Sequence, residues 1–308
     1  MKKFLKISGI TIGVLLLAML ILPFLFKDKI KGIIDKQISK NINGKVWYNS
    51  ESFSLSLFSH FPNLTVSLKD IGLMSNAEEF KGDTLFTTKE FSLTIDIMSV
   101  ISGDQMKIKG VFLDQPKVVT IVDKSGKMSW DITYPDTTTK APTEESRPLN
   151  ISIDKWEIKD GIIIYDDQTM PMYAELKHFD HIGSGDITAD IYDLKTYTKS
   201  TNVLVEYGGT TYLSGQTITA DAAMNIDLGK SIYKFLDNEF AVNDFKFGFD
   251  GSVEMPTNDI KMNITYKAKE TNFKNLLSLV PAVYNKDFDK VKTDGSIGFD
   301  GYVKGVYN

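Results

Sequence analysis

The sequence predicts a mostly β protein. A transmembrane helix and an amphipathic helix at the N-terminus precede a long, curved antiparallel β-sheet with few short helices. Three observations predict it. From residue 46 onward, apolar and polar residues alternate with period two in segment after segment. Ile7 to Phe26 runs for 20 residues without a charge. Between the two, Lys29 to Asn43 carries Ile30, Ile33, Ile34, Ile38 and Ile42 at helical spacing. The same strands could also close into a β-sandwich, which is the alternative architecture.

Residues 1–6, with Lys2, Lys3 and Lys6, form a short tail expected in the cytoplasm. Residues 7–26 would span roughly 30 Å as a helix at about 1.5 Å per residue, the hydrocarbon thickness of a bilayer. A cleaved signal peptide has a shorter apolar region and ends in a small-x-small site. This run ends instead in Pro23, Phe24, Leu25 and Phe26, so an uncleaved signal anchor is expected. Residues 27–44 read as a helix leaving the bilayer and seating one isoleucine stripe on the body, with Gly44 where a C-terminal cap would stand. Lys27, Lys29, Lys31, Lys36, Lys40 and Lys45 follow the span and oppose the orientation set by the tail. Long domains translocate largely regardless of charge, so the body is expected outside the cytoplasm.

Residues 45–135 form a first β region. Phe53, Leu55 and Leu57 alternate with serines, Leu64, Val66 and Leu68 with Thr65, Ser67 and Lys69, and Phe91, Leu93, Ile95 and Ile97 with Ser92, Thr94 and Asp96. Residues 136–149 (DTTTKAPTEESRPL) are polar, contain two prolines and read as a loop or linker. A second β region occupies residues 150–308, with further alternation at 151–154 and 260–267. Asp160-Gly161, Asp250-Gly251, Asp294-Gly295, Asp300-Gly301, Ser125-Gly126 and Gly208-Gly209 read as turns. Helix signals in the body are few: Asn272 to Val280, and a turn near Leu73–Glu79. MKIKGVFLDQPKVVTIVDKSG and ISIDKWEIKDGIIIYDD flank the linker with a similar pattern, a hint of a repeated β unit.

Composition excludes several chemistries. The chain has no cysteine, three histidines and a single arginine, Arg147. Thiolate metal sites, disulfides and cysteine nucleophiles are therefore out, and no metal or cofactor is expected. Arginine carries most bidentate phosphate and base-edge recognition, so no nucleic acid is expected as a partner. No nucleophile elbow, metalloprotease helix motif, phosphate loop or dinucleotide fingerprint occurs, so no catalytic residue is assigned. His178 and His181 lie too far apart in strand parity to share a face, and Asp166 and Asp167 read as solvated turn acids. Trp130 and Trp156 read as core, and Trp47 as packed under the first strand or, soon after the membrane helix, seated at the interface. Residues 1–45 carry a net charge of +7 and the remaining 263 carry −12, a basic head on an acidic body.

A long sheet with one apolar face needs a cover for it, and the helices are too few. In a sandwich, a second sheet covers it. In a trough, lipid acyl chains meet it. The candidate floor residues are Phe53, Leu55, Leu57, Leu64, Val66, Leu68, Phe91, Leu93, Ile95 and Ile97. In the sandwich the same ten are ordinary core.

The order of segments resembles the N-terminal region of AsmA-family proteins of Bacteroidetes-like bacteria. The resemblance is carried by the N-terminal span, the helix ending at Asn43-Gly44-Lys45-Val46, and SESFSLSLFSHFPNLTVSLKDIGL at 50–73. ISGDQMKIKGVFLDQPKV at 101–118, DKSGKMSWDI at 123–132, KDGIIIYDD at 159–167 and FKNLLSLVPAVYNKDFDKVKTDGSIGFDGYVKG at 273–305 extend it. It implies a single-pass protein of the bacterial inner membrane with its body in the periplasm. It also implies kinship with chorein-type bridge lipid-transfer proteins, whose sheets form a groove with an apolar floor. Phospholipid is then the expected partner, and assistance to lipid transport and outer-membrane assembly the expected role. A scaffold that binds envelope proteins is the alternative. Family members generally run longer, so the chain is expected to be a short member or part of a longer protein.

Overall fold

A computed structural model describes residues 28, 30–102, 107–133, 150–186, 189–256, 259–277, 279–280 and 294–307. The expected span 7–26 and linker 136–149 lie outside these residues. Among the described residues no helix is long and apolar enough to cross a membrane.

Helix α1 (30–41) leads into β1 (Gly44–His60), which pairs with β2 (Asn63–Ser75), and β2 in turn pairs with β3 (Thr84–Ile95). Next come α2 (Ile97–Ser102), β4 (Lys107–Asp114) and β5 (Lys117–Val122). After them come β6 (Asn150–Asp167), β7 (Met172–Ser184), β8 (Ile191–Tyr207), β9 (Thr210–Asp227) and β10 (Ile232–Val242). The chain closes with β11 (Phe245–Glu254), β12 (Ile260–Asn272), α3 (Phe273–Leu277) and β13 (Ser296–Tyr307). All thirteen strands belong to one sheet, so both expected β regions are continuous with each other. Among the described residues, strands β1 and β13 each pair on one side and the sheet is open.

The sheet is mixed, which corrects the antiparallel expectation. Strands β4 and β5 both run parallel to β6. They lie end to end, interrupted at Gln115-Pro116, because proline has no N–H to give the ladder. Antiparallel neighbours need only a tight turn, whereas a parallel pair needs a long crossover, and residues 123–149 supply one. Its first part turns at Asp123, whose Oδ1 accepts from Ser125 N, Ser125 Oγ and Lys127 N. It then reaches the end of α1, where Asn43 N donates to Ile132 O at 2.6 Å.

Three of the expected turns lie inside strands. Asp160-Gly161 is in β6, Asp250-Gly251 in β11 and Asp300-Gly301 in β13. A glycine in a strand marks a bulge or a close approach as readily as a turn. At Gly251 a Cβ would lie 2.0 Å from Asn263 O, so only glycine fits there. Gly44 likewise starts β1 instead of capping α1, and a Cβ there would meet Leu73 Cδ1 at 2.7 Å. Ile97 is not in β3 but opens α2, because Asp96 stops the strand: its Oδ1 accepts from Ser99 N at 3.0 Å.

Residues with positive φ reset the alternation. Asp70, Gln115, Asp160, His178 and Asn202 have φ between 48° and 65°. Asp, Asn and His tolerate this region better than most side chains. Each sits where the parity of inward residues slips. Leu68 and Ile71, for example, are three apart yet both pack toward α1. The slips lie side by side from β2 to β8. Gln115 Nε2 donates to Asp160 Oδ2 at 3.2 Å, and Asp160 Oδ1 lies 2.8 Å from His178 Nδ1. A bulge bends its strand and adds right-handed twist, so these strands share one crease.

The core lies at the first strands. Ile30 of α1 is 1% exposed and packs on Phe53, Leu57, Leu64, Val66, Leu68 and Ile95. Asp35 fixes the helix on β1, accepting from Lys31 Nζ at 2.8 Å and from Tyr48 OH at 2.6 Å.

Candidate functional site

Cross-strand partners in a sheet point to the same face. One chain of partners runs Leu68, Phe91, Leu113, Ile158, His181, Thr198, Ala220, Phe240, Phe247, Ala268 and Phe299, from β2 to β13. Beyond the crease a parallel row runs Val46, Leu73, Phe86, Val118, Ile163, Leu176 and Val203. The other face is polar. Its matching row reads Ser54, Ser67, Ser92, Phe112, Glu157, Ile182, Tyr197, Asp221, Glu239, Gly248, Lys267 and Asp300. One apolar face therefore extends across the sheet.

That face is covered at one end and bare at the other. Of the ten residues expected to form a floor, Phe53, Leu57, Leu64, Val66, Leu68 and Ile95 are buried in the cluster beneath α1. Leu55, Leu93 and Ile97 pack half-buried against that cluster. Phe91 is half-buried beside Leu68 in the next strand. From β8 onward the cluster beneath α1 no longer reaches: Val203 and Ile226 are still buried at 2% and 6% exposure, but exposure rises beyond them. Tyr192, Leu194, Thr196 and Thr198 stay half-buried, Phe240 is 47% exposed and Phe299 is 41% exposed.

The bare end carries an aromatic cluster that the sequence reading missed. Phe247 lies 6.0 Å from Tyr266 and 6.4 Å from Phe299, and Phe235 lies 5.3 Å from Phe249, all between ring centroids. Ala268, a small residue between Phe247 and Phe299 on the strand that separates them, lets the rings flank it and is 3% exposed. The signal was present in FKFGFDG at 245–251, where Phe245, Phe247 and Phe249 alternate with Lys246, Gly248 and Asp250.

Polar groups interrupt the face at few points. Trp156 lies across Gly183, where a Cβ would come within 2.0 Å of the indole. Its Nε1 donates to His181 Nε2 at 2.9 Å, leaving Nδ1 to donate to Thr198 Oγ1 at 2.8 Å. Burial pushes the His181 imidazole below its ordinary range and keeps it neutral. His178 instead pairs with Asp160 on the crease, and its hydrogen bond holds that carboxyl below the usual carboxylate range. Among the described residues, no three His, Asp or Glu side chains gather as a metal would need. A depression of about 690 Å³ over β10–β13 is lined mainly by polar-face residues, among them Glu239, Lys246, Lys267 and Asp300. Lys246 Nζ and Glu239 Oε1 pair there at 2.6 Å.

Two other expectations change. Asp167 is 5% exposed, not solvated: its Oδ1 accepts from Thr169 N and Oγ1 and from Met170 N, and its Oδ2 from Tyr165 OH. These bonds lower its pKa and close the β6–β7 turn. Trp130 is 42% exposed and rests 6.5 Å from Tyr165, so it is not core.

The model of the AsmA family matches residues 1–276. The chain belongs to the AsmA family. No curated protein matches it in a sequence comparison, and no solved structure matches it either. Membership suggests an envelope-associated role related to lipid transport. For this AsmA-family chain the feature to interpret is the apolar face, closed by α1 over β1–β3 and, among the described residues, most exposed at Phe240 of β10 and Phe299 of β13.

Proposed function

We propose that the protein is anchored in the bacterial inner membrane by residues 7–26, holds its body in the periplasm and carries phospholipid acyl chains along the apolar face of its sheet. The observation that supports this reading most is the largely apolar row from Leu68 to Phe299, interrupted at His181 and Thr198 and exposed toward its far end at Phe240 and Phe299 among the described residues. Acyl chains leaving water gain about 0.8 kcal/mol per buried methylene. Rows of similar apolar side chains make successive positions nearly equal in energy, so a chain moves along them without a deep trap. Head groups stay in water at the rim of the face. No bond is made or broken, so the action is non-enzymatic and needs no cofactor. Its use is assistance to lipid transport and outer-membrane assembly.

A photoreactive side chain at Phe247, compared with one at Lys267 on the polar face, tests the reading in cells. Phospholipid should crosslink to position 247 and not to 267. Equal crosslinking, or none at 247, would overturn it.

One observation favours the scaffold reading in addition. Among the described residues β13 is the last strand of the sheet and pairs only with β12, and from Ile297 to Tyr307 it carries no proline, so its outer edge could take a strand from an envelope protein.

A further inference from the structure

We infer that the end of the sheet formed by the β1–β2 turn and α2 dips into the bilayer from which the chain emerges. The inference rests on the reading of residues 7–26 as a membrane span. The β1–β2 turn and the β3–β4 connection lie at the same end of the sheet, two strands apart. Both show apolar side chains to solvent: Phe58 is 57% exposed, Phe61 62%, Met98 66% and Ile101 51%.

In α2 only part of the apolar content faces the protein, Ile97 packing half-buried against the core. Ser99 is buried, donating to Asp96 O at 2.7 Å and accepting from Lys107 N at 3.2 Å, while Met98 and Ile101 face outward. A short helix that turns Ile97 and Ser99 to the protein and leaves Met98 and Ile101 outside it matches an apolar surround, not water.

The position of α1 names that surround. Ile30 packs against Leu57, Leu64 and Ile95, which are close in sequence to Phe58, Phe61 and Met98. The uncharged run ends at Phe26, four residues before Ile30. Four residues reach at most about 14 Å, so the bilayer surface meets this end of the sheet. The opposite end, beyond 17-residue β1, lies about 55 Å away if the strand is fully extended. Lys27, Lys29 and Lys31 follow the span and suit anionic head groups. The contact would open the covered end of the apolar face toward the lipid source.

The chain has no cysteine, so single labels are straightforward. Phe61→Cys, Met98→Cys, Met170→Cys at the opposite end, and Leu16→Cys in the apolar run each receive an environment-sensitive fluorophore. The full chain is placed in vesicles of phosphatidylethanolamine and phosphatidylglycerol. Labels at 61 and 98 should shift to the blue and lose emission to lipid spin-labelled near its head group, while the label at 170 answers only to aqueous iodide. Iodide quenching at 61 and 98 with protection at 16 would overturn this inference and leave the anchor standing. Protection at 61 and 98 without lipid quenching would mean a protein cover and would also overturn it. Iodide quenching at 16 would remove the anchor and the inference together.

Discussion

Truncating Ile30 and Phe299 separately measures which part of the apolar face is covered. Ile30 is 1% exposed and surrounded by six buried side chains. Ile30→Ala loses the transfer energy of the removed carbons and leaves a cavity, about 2–5 kcal/mol. Phe299 is larger, yet it is 41% exposed at its place beside Phe247. Full burial of a phenylalanine contributes about 1.5–3 kcal/mol, so a little over half of that, roughly 1–2 kcal/mol, is at stake in Phe299→Ala. The smaller residue should therefore cost more. Urea unfolding of the full chain in detergent, followed by tryptophan emission, reads both changes from the shift in midpoint at constant slope. A Phe299→Ala loss equal to or above that of Ile30→Ala would mean that another layer covers the far half of the face, and the reasoning from an open floor would fail.

Other changes have distinct expected outcomes. Val66→Glu with Leu93→Glu should abolish folding, not merely lipid binding, because Val66 is 2% exposed beneath α1 and a carboxylate there has no partner; circular dichroism checks it. Gly183→Ala should push Trp156 off its strand and off His181, destabilising by about 1–3 kcal/mol with a shifted tryptophan emission. At Asp160, whose φ is 49°, glycine should be tolerated while valine should cost about 1–2 kcal/mol, measured as a difference in urea midpoint. The His181 imidazole is held below its ordinary range, so the folded protein binds fewer protons there than the unfolded chain. That contribution is present in full above about pH 6.5, the ordinary value, and is lost as pH falls from there through the lower value of the folded state. His181→Gln should flatten this part of the stability profile.

Much of the fold was legible because alternation is a short-range signal. Leu64, Val66 and Leu68 declare a strand with one dry face without reference to anything distant, and the isoleucines of 30–42 declare α1 the same way. Features that depend on pairing were not legible. Nothing in β4, β5 or β6 marks them as parallel, since their order is set by where the crossover returns. The bulge residues hid the length of the strands. Asp160-Gly161 reads locally as a turn, but β7 pairs with β6 on both sides of it, with shifts of register at Gly161, so the strand continues past it. The apolar residues of the face were legible by type, and where a helix covers them was not. The residues with the cleanest alternation, in β1–β3, are those that α1 covers. The uncovered residues lie in strands where glycine, alanine and threonine share the apolar face with the aromatics, as in Gly251, Ala268 and Thr198. Which half of a face a helix covers is a tertiary fact, read only once Ile30 is seen against Phe53 and Leu57.

Native mass spectrometry of the full chain released from gentle detergent tests the central claim most directly. Three proteins are compared: the wild type, Phe247→Glu with Phe299→Glu on the bare apolar face, and Lys267→Glu on the polar face. The account predicts phospholipid bound to the wild type and to Lys267→Glu, and its loss from the folded double variant. A wild type without lipid, or a double variant that keeps it, would contradict the claim that this face carries acyl chains.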